Sequence, residues 1–449
     1  MPALTWPPVP PREAPPLPAM NRVVVRQTPR AALCGLAVST LLMLSVASPA
    51  ALAHDEVQVG AAGEAFSLPA HVPLAGYSRR HGRPSRGVHD PVGVRALVFQ
   101  QGPASAALVS CDLLIIDERL FDAVRRRLRA RGLPKDLVLL LAATHTHSGP
   151  GAYGAGFLEQ LSMGHFDLRV FDAIVNTITQ TVTRAWEARG PVRMAAATVQ
   201  TDGLVENRMN LNGPIDAELS VIGFYYPAAE TPFAVVTDFA AHPTTLGAWN
   251  QQLSADYPGV LVREVERRFP GSTCLFLAGS VGDQAPVKSG EAFGRAEWIG
   301  LKLAALAVQA LARMTPEAPS ALAARQDVVT LPPPALRLGR VVLPRWLGRR
   351  LVDDDATLSV LRVGDAAFLG APCDLAAALG ARLKAAGRAQ GMFPVVVGFT
   401  SDYIGYCMPA ALYEANRYEA SMAFNGPRAG ELVTENIARL LGGLAKREK

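Results

Sequence analysis

The sequence predicts an α/β fold of mixed α+β layers, in which mixed sheets flanked by helices form one large catalytic domain. Strand-like apolar runs alternate with helical periodicity along the chain. Several strand-like runs follow one another directly, which favours layered mixed sheets over a strict βα barrel. About half of the 449 residues are apolar and 18% are charged, as expected of a globular protein.

The individual elements follow from the apolar pattern. Short continuous apolar runs predict strands, and apolar residues recurring every three or four positions predict amphipathic helices. In chain order they are strands 96–100 and 106–116, helix 118–131, strand 137–143, helix 171–189, strands 192–200, 219–226 and 233–240, helix 257–269, strand 273–278, helix 295–313, strands 357–363 and 366–369, helix 375–387, strand 395–399 and helix 428–441.

Residues 1–53 have the composition of a secretory leader. A basic stretch precedes an apolar run over residues 31–46, and small residues at 51–53 form an A-x-A-like cleavage site. The alternative is a transmembrane anchor, but the apolar run is shorter than the ~20 residues that span a bilayer. We therefore expect export to the periplasm or the medium, and a catalytic domain over residues 54–449.

Charge and cysteine content argue against two other classes of protein. The formal net charge is +5, and residues 1–53 carry four arginines against one glutamate, so the remaining bias is too small to indicate nucleic-acid binding. The absence of C-x-x-C argues against a thiolate zinc site or redox motif. Cys111 and Cys274 lie in apolar runs and are expected to be buried thiols, whereas any disulfide pairing stays open.

Residues 331–350 stand apart from the rest of the chain. They combine five arginines with proline and apolar side chains that include Trp346. Two interpretations stay open, a solvated loop or a basic, apolar lid that contacts a lipid surface.

Histidines follow directly after two predicted strands. Strand 137–143 runs into a T-H-T-H-S-G-P-G motif containing His145 and His147, and His242 follows strand 233–240. Side chains at i and i+2 of an extended segment point the same way, so His145 and His147 are expected to face one point. Catalytic zinc sites combine about three His, Asp or Glu ligands with an open position. The histidines therefore predict a metal site whose remaining ligand lies further along the chain.

The histidine positions argue against several hydrolase classes. All eight histidines lie at or before His242, whereas an α/β-hydrolase places its histidine after the nucleophile. Ser280 occupies only a degenerate nucleophile elbow, and no histidine follows it. An amidohydrolase barrel needs two further histidines, and H-E-x-x-H and P-loop motifs are absent.

The motifs, in this order, resemble those of the neutral/alkaline ceramidases. Residues 143–151 match the family's A-T-H-T-H-S-G-P-G signature. Shorter matching blocks are A-G-Y at 75–77, N-R at 207–208, F-A-A-H-P-T at 239–244, V-G-D-x-x-P at 281–286, G-Y at 405–406 and R-Y-E-A-S at 417–421. The resemblance covers residues 57–445.

The resemblance implies the site residues. It implies one Zn²⁺ per chain, with ligands at His145, His242, Asp374 and Tyr406. It implies substrate-binding roles for Gly76, His147, Arg208 and Tyr418, of which the last three are also assigned catalytic roles. Without the resemblance, the residues themselves favour ordinary structural roles: core tyrosines for Tyr406 and Tyr418, a surface ion pair for Arg208 and a helix N-cap for Asp374.

Two positions depart from the family pattern. Asp374 stands where the family has a glutamate, and Ala285 stands where it has the serine treated as its nucleophile. Because Ala285 cannot attack a carbonyl, we expect attack by metal-activated water, whose pKa falls to about 7 on coordination. Loss of a serine that only positions the substrate or oxyanion costs about 10²–10³ in rate.

The expected function is that of an exported, zinc-dependent amide hydrolase. Its expected substrate is the N-acyl bond of a ceramide-like lipid, reached through transient contact with a membrane surface, and no nucleic acid is expected as a partner. Two alternatives stay open: a zinc hydrolase of the same fold acting on a different amide or ester, and a non-catalytic binding homologue.

Overall fold

The computed structural model describes residues 56–338, 341–342, 344–413 and 418–445. The predicted leader, and Arg340 and Arg417 of the sequence motifs, lie outside the described residues. Among the described residues, no helix has the length and apolar character needed to cross a membrane.

The elements alternate along the chain largely as the apolar pattern predicts. The strands are β1 (Gln58–Ala65), β2 (Gly93–Gln101), β3 (Ala104–Cys111), β4 (Val138–Ala143), β5 (Gly190–Pro191), β6 (Arg193–Gln200), β7 (Val205–Asn207), β8 (Glu218–Tyr225), β9 (Ala234–Phe239), β10 (Thr273–Ala278), β11 (Gln284–Pro286), β12 (Leu322–Thr330), β13 (Arg337–Leu338), β14 (Val341–Val342), β15 (Asp355–Val363), β16 (Ala366–Gly370), β17 (Asp374–Leu375), β18 (Phe393–Val397) and β19 (Tyr406–Cys407). The helices are α1 (Glu118–Ala130), α2 (Phe157–Met163), α3 (Leu168–Glu187), α4 (Asp256–Arg268), α5 (Ala292–Leu311), α6 (Arg345–Gly348), α7 (Ala377–Arg388), α8 (Ala410–Tyr413), α9 (Tyr418–Ser421) and α10 (Ala429–Ala445), with a 3-10 turn at Ser78–Arg80.

Within the described ranges, three larger sheets form the centre of the protein, and each contains one parallel pair of strands. The first has the order β4-β3-β2-β1-β5, with β3 and β4 parallel. The second has the order β10-β9-β8-β6, with β9 and β10 parallel. The third has the order β12-β15-β16-β18, with β16 and β18 parallel. The predicted mixed α/β fold is confirmed.

The sheets pack together on one face and carry helices on the other. An apolar cluster joins residues of all three sheets, among them Leu108, Val236 and Phe368. Helices α1 and α3 pack with the first sheet and α4 and α5 with the second, in a shared core. Helices α7 and α10 cover the third sheet. The layers bury the sheets on both faces, which explains the continuous apolar runs of their strands.

The parallel strands end close together, and this places the candidate site. Ala143 N, at the end of β4, donates to Phe399 O just after β18. Gly398 N donates to Ala278 O at the end of β10. The loops that follow β4, β9, β10, β16 and β18 therefore meet at one edge of the layers, where open α/β sheets commonly bind their ligands.

Some predicted bounds need correction. The predicted strand 106–116 is too long, because β3 ends at Cys111. Helix α1 begins after Asp117, the N-cap residue, whose side chain accepts a hydrogen bond from Leu120 N. The strands β1 and β12 carry no strong apolar run: β1 is rich in glycine and alanine, and β12 has many exposed residues.

The four cysteines of the described residues form one disulfide and leave two buried thiols. Cys373 and Cys407 are joined by a disulfide, the pairing that the sequence leaves open. Cys111 and Cys274 are free and buried, as predicted. The disulfide joins the residue before β17 to the last residue of β19, and these two strands pair in parallel.

The described residues within 331–350 are more structured than a solvated loop. Leu331 and Leu336 are buried, and Ala335 N donates to Phe424 O. The hairpin β13–β14 and helix α6 follow, and Trp346 is 63% exposed. This segment thus packs against the chain that follows Tyr418.

Candidate metal centre

Three histidine side chains converge where the parallel strands end. His145 and His242 are buried and His147 is partly exposed. Their Nε2 atoms lie 2.9 Å (His145 to His242), 3.2 Å (His145 to His147) and 3.1 Å (His147 to His242) apart. The cluster could hold a metal ion.

The two imidazoles of the T-H-T-H motif meet for a different reason from the predicted one. His145 has φ 62°, in the left-handed region, so the segment is not an extended strand there. The ring of His145 stacks on Phe399 at 3.8 Å, and Phe399 itself has φ 54°. Such conformations cost about 1–3 kcal/mol each and persist where the surrounding structure holds them. The convergence therefore depends on tertiary packing rather than on strand alternation.

Backbone carbonyls orient all three rings. The Nδ1 atoms of His145, His147 and His242 face Leu114 O at 2.6 Å, Gly76 O at 3.1 Å and Val281 O at 3.3 Å. A carbonyl only accepts, so each Nδ1 carries the proton and each Nε2 presents a lone pair. Lone pairs converging at about 3 Å repel each other unless a cation or a proton lies between them. This arrangement is the second-sphere pattern of histidine metal ligands.

Burial favours the neutral imidazoles. It lowers the pKa of His145 to about 3 and the pKa values of His147 and His242 well below the usual histidine range. The three rings therefore stay neutral, and able to bind a metal ion, well into the acidic range.

Asp374 brings a carboxylate to the same point. It is fully buried, and its Oδ1 lies 3.5 Å from His145 Nε2 and has no hydrogen-bond partner. Its Oδ2 accepts a hydrogen bond of 2.8 Å from Tyr403. Burial raises the pKa of Asp374 to about 7. The alternative role as a helix cap is wrong, because Asp283 Oδ1 accepts from Ala377 N at the start of α7.

Tyr406 and Arg208 form the wall beside Asp374. The strand pairing places Tyr406 opposite Asp374. Arg208 Nη2 donates to Tyr406 Oη and to Gly282 O, both at 2.8 Å. Arg208 also pairs with Glu419 at 3.2 Å, and the carboxylate of Glu419 is largely buried. The ion pair is therefore part of the site rather than an ordinary surface pair.

Tyr418 lies at the rim of this wall. It is 64% exposed, and its ring meets that of Tyr406 edge to face at 6.1 Å. A buried core position, the alternative for Tyr418, is therefore wrong.

Gly76 supports His147 and leaves no room for a side chain. It has φ 102°, and an added Cβ would lie 2.7 Å from the ring of His147. Arg80, which the sequence motifs did not single out, is buried and donates to His147 O at 2.5 Å.

Ala285 lies in β11, which pairs with β7 just before Arg208. It is partly exposed, whereas Ser280 is fully buried, so Ser280 cannot replace the missing serine hydroxyl. Sequence reasoning missed Tyr403 and Glu419, which hold Asp374 and Arg208. The sequence signals for them were weak: Glu419 stands inside the R-Y-E-A-S block, and Tyr403 lies two residues before the G-Y block.

Comparisons with known sequences point to one family. The model of the neutral/alkaline non-lysosomal ceramidase N-terminal region matches residues 67–292. The neutral ceramidase of Pseudomonas aeruginosa is 28% identical over 235 residues, which cover 48% of this chain and 35% of that protein. The neutral ceramidase of Mycobacterium tuberculosis is 27% identical over 225 residues, covering 46% of this chain and 34% of that protein. These matches span about a third of the length of each relative.

Solved structures show the same fold over more of the chain. The crystal structure of neutral ceramidase from Pseudomonas aeruginosa superposes with a TM-score of 0.78 at 22% identity, covering 88% of this chain and 75% of that one. A structure described as "Ceramidase complexed with C2" superposes with a TM-score of 0.79 at 21% identity, covering 88% and 76%. The structural likeness extends beyond the region that the family model matches.

Proposed function

Because the chain belongs to the neutral/alkaline non-lysosomal ceramidase family, we propose that it is a zinc-dependent hydrolase that cleaves the N-acyl bond of ceramide-like lipids. The observation that carries the proposal is the convergence of three imidazole lone pairs with the unpartnered Oδ1 of Asp374. A fold needs no such cluster of buried polar atoms for stability, because each costs free energy unless it has a partner.

The residues fit a zinc ion. Imidazole nitrogen and carboxylate oxygen are its usual ligands in catalytic sites. The proposed ligands are His145, His242, Asp374 and Tyr406. When bound, the ion would supply Lewis-acid polarisation of the amide carbonyl and a lowered pKa for an attacking water.

His147 is proposed to work on the substrate rather than as a fixed ligand. It is the one partly exposed histidine of the cluster, and its Nε2 carries the lone pair. It can therefore accept a proton from an attacking water and return it to the leaving amine. Its Nε2 lies 3.2 Å from that of His145 and 3.1 Å from that of His242, so a role as a metal ligand is the competing assignment. Metal analysis of His147→Ala decides between the two.

Arg208 and Tyr418 are proposed to orient the polar part of the lipid. The Arg208 guanidinium is held by Glu419, Gly282 O and Tyr406, so its position is fixed before substrate arrives. The exposed Tyr418 offers a hydroxyl and an apolar ring at the rim. Gly76 would contribute by keeping backbone close to His147, where a side chain would collide.

Export, membrane contact and the single zinc ion are parts of the same proposal. Export rests on the composition of residues 1–53. Contact with a membrane surface rests on residues 331–350, with exposed Trp346 and the cation–π contact of Arg350 with its ring.

The test is a substrate panel on purified, metal-analysed protein. Fluorescent N-acyl-sphingosines and simple N-acyl amides are compared with wild type, His147→Ala and Arg208→Gln. We expect turnover of N-acyl-sphingosine, retained zinc with loss of turnover in His147→Ala, and a larger loss on the lipid than on the simple amide in Arg208→Gln.

Two other outcomes would reassign the function. Turnover of simple amides or esters with no turnover of N-acyl-sphingosine identifies a zinc hydrolase with another substrate. The replacement of the family's serine by Ala285 would then accompany the change of substrate. Zinc binding without turnover of any amide or ester identifies a non-catalytic homologue.

A further inference from the structure

Arg80 is a buried cation that has no anionic partner among the described residues. The residue is only 5% exposed. Its guanidinium donates hydrogen bonds to three backbone carbonyls, those of Ala75, His147 and Gly247. Among the described residues no carboxylate lies within ion-pair distance, and its Nε–H is buried without a hydrogen-bond partner. A buried charge is costly unless an opposite charge compensates it.

Two further arginines share a cavity with Arg80. The cavity is about 40 Å³ in volume and is lined by Leu74, Arg79, Arg80, Arg83, Ala248 and Gln251. None of these residues is acidic. One water needs about 10–15 Å³ of such a cavity, so the volume admits a small oxyanion but not a lipid chain.

We propose that this cavity, the Arg79–Arg80–Arg83 cavity, binds a phosphate group. Guanidinium groups match phosphate oxygens with paired N–H donors, and such charge-assisted hydrogen bonds are the stronger kind. A phosphate here would also supply the negative charge that Arg80 lacks. The site is separate from the histidine cluster, and the proposal does not depend on which reaction that cluster performs.

The position of Arg80 couples the cavity to the histidine cluster. The Nη1 atom of Arg80 donates to His147 O, and its guanidinium lies 4.8 Å from the centre of the Tyr77 ring, which in turn packs against His147. An anion that fixes Arg80 thereby restrains the backbone of His147. Phosphate is therefore expected to raise the midpoint of thermal unfolding.

The phosphate group could come from the free anion or from the headgroup of an anionic lipid. Arg79 and Arg83 are exposed, so the cavity is reachable from the surface. Trp249, 58% exposed, follows the cavity residue Ala248 and could enter a lipid interface. Both sources share one chemistry, and they are separated by experiment.

The test uses the purified full chain with its metal. Inorganic phosphate is titrated calorimetrically into wild type, Arg79→Gln/Arg83→Gln and a control, Arg86→Gln/Arg131→Gln. The control removes the same charge from two exposed arginines that do not line the cavity. We expect wild type and control to bind alike, and the cavity variant to bind at least about tenfold more weakly, because two of three guanidinium partners are lost. Phosphate bound at the metal would persist in all three proteins.

A second arm identifies the source of the phosphate group. The same proteins are sedimented with vesicles of phosphatidylglycerol or of phosphatidylcholine. The headgroup is the source if only the cavity variant loses binding to phosphatidylglycerol vesicles and free phosphate displaces wild type from them. Phosphate binding without vesicle binding identifies the free anion. Equal phosphate affinity in all three proteins, or no binding to wild type at about 10 mM, would overturn the proposal.

Discussion

Replacing Cys373 and Cys407 by alanine is expected to reduce both stability and metal affinity. The disulfide closes a loop with a sequence separation of 34 residues. The chain-entropy relation gives about 3.8 kcal/mol of stabilisation for a loop of this length. That is a large share of the roughly 5–15 kcal/mol by which proteins are typically stable.

Metal affinity is affected because of where the disulfide lies. Cys373 precedes Asp374, and Cys407 follows Tyr406. The pairing of β17 with β19 is only two residues long, so the disulfide holds together the two strands that carry the proposed oxygen ligands.

The assay is urea unfolding of wild type and Cys373→Ala/Cys407→Ala with a chelator present, so that metal binding does not contribute. Zinc affinity is then measured by competition with a chromogenic chelator. Wild type treated with a reductant is the control that leaves the side-chain volumes unchanged. A loss of less than about 1 kcal/mol together with unchanged zinc affinity would show that the disulfide neither stabilises the fold nor holds the ligand-bearing strands.

Three further predictions concern the attack, the surface and the carboxylate. Ala285→Ser is expected to change the rate without being required for turnover, and no acyl-enzyme burst should appear in wild type; a wholly inert wild type restored by Ala285→Ser would mean that the serine is essential. Neutralising Arg345, Arg349 and Arg350 is expected to weaken binding to anionic vesicles by up to about 1 kcal/mol per arginine, less for Arg349 because it pairs with Asp354 at 3.6 Å. Vesicle-borne substrate should then be hydrolysed more slowly and a short-chain soluble analogue at an unchanged rate; equal slowing of both would show a structural role. Because the pKa of Asp374 is raised to about 7, its carboxyl is protonated below that pH without metal. Zinc binding at pH 6 should therefore release about one proton and tighten as the pH rises toward 7, and calorimetry in buffers of different ionisation enthalpy should show no such release in Asp374→Asn.

The sequence predicts the fold class well because most strands are buried on both faces. Continuous apolar runs mark β4, β9 and β10. The runs of β4 and β9 end just before His145 and His242. The strands β1 and β12 escaped prediction because small or half-exposed residues suffice where neighbouring strands supply the pairing.

The site is predictable in its residues but not in its geometry. The T-H-T-H motif marks His145 and His147, yet their convergence depends on a left-handed backbone at His145 that Phe399, far along the chain, supports. The support of Asp374 by Tyr403 and of Arg208 by Glu419 is likewise tertiary. Local periodicity carries no information about such contacts.

The most direct test of a metal-dependent histidine cluster is a reconstitution titration. Chelator-treated wild type is given zinc in steps, and bound metal and hydrolysis of N-acyl-sphingosine are measured together, with His145→Ala and His242→Ala beside it. Activity should be absent without metal and reach its plateau at about one zinc per chain, and neither variant should bind zinc or turn over substrate. Full turnover by the metal-free protein, or full zinc occupancy in both variants, would show that the histidine cluster is not the catalytic zinc site.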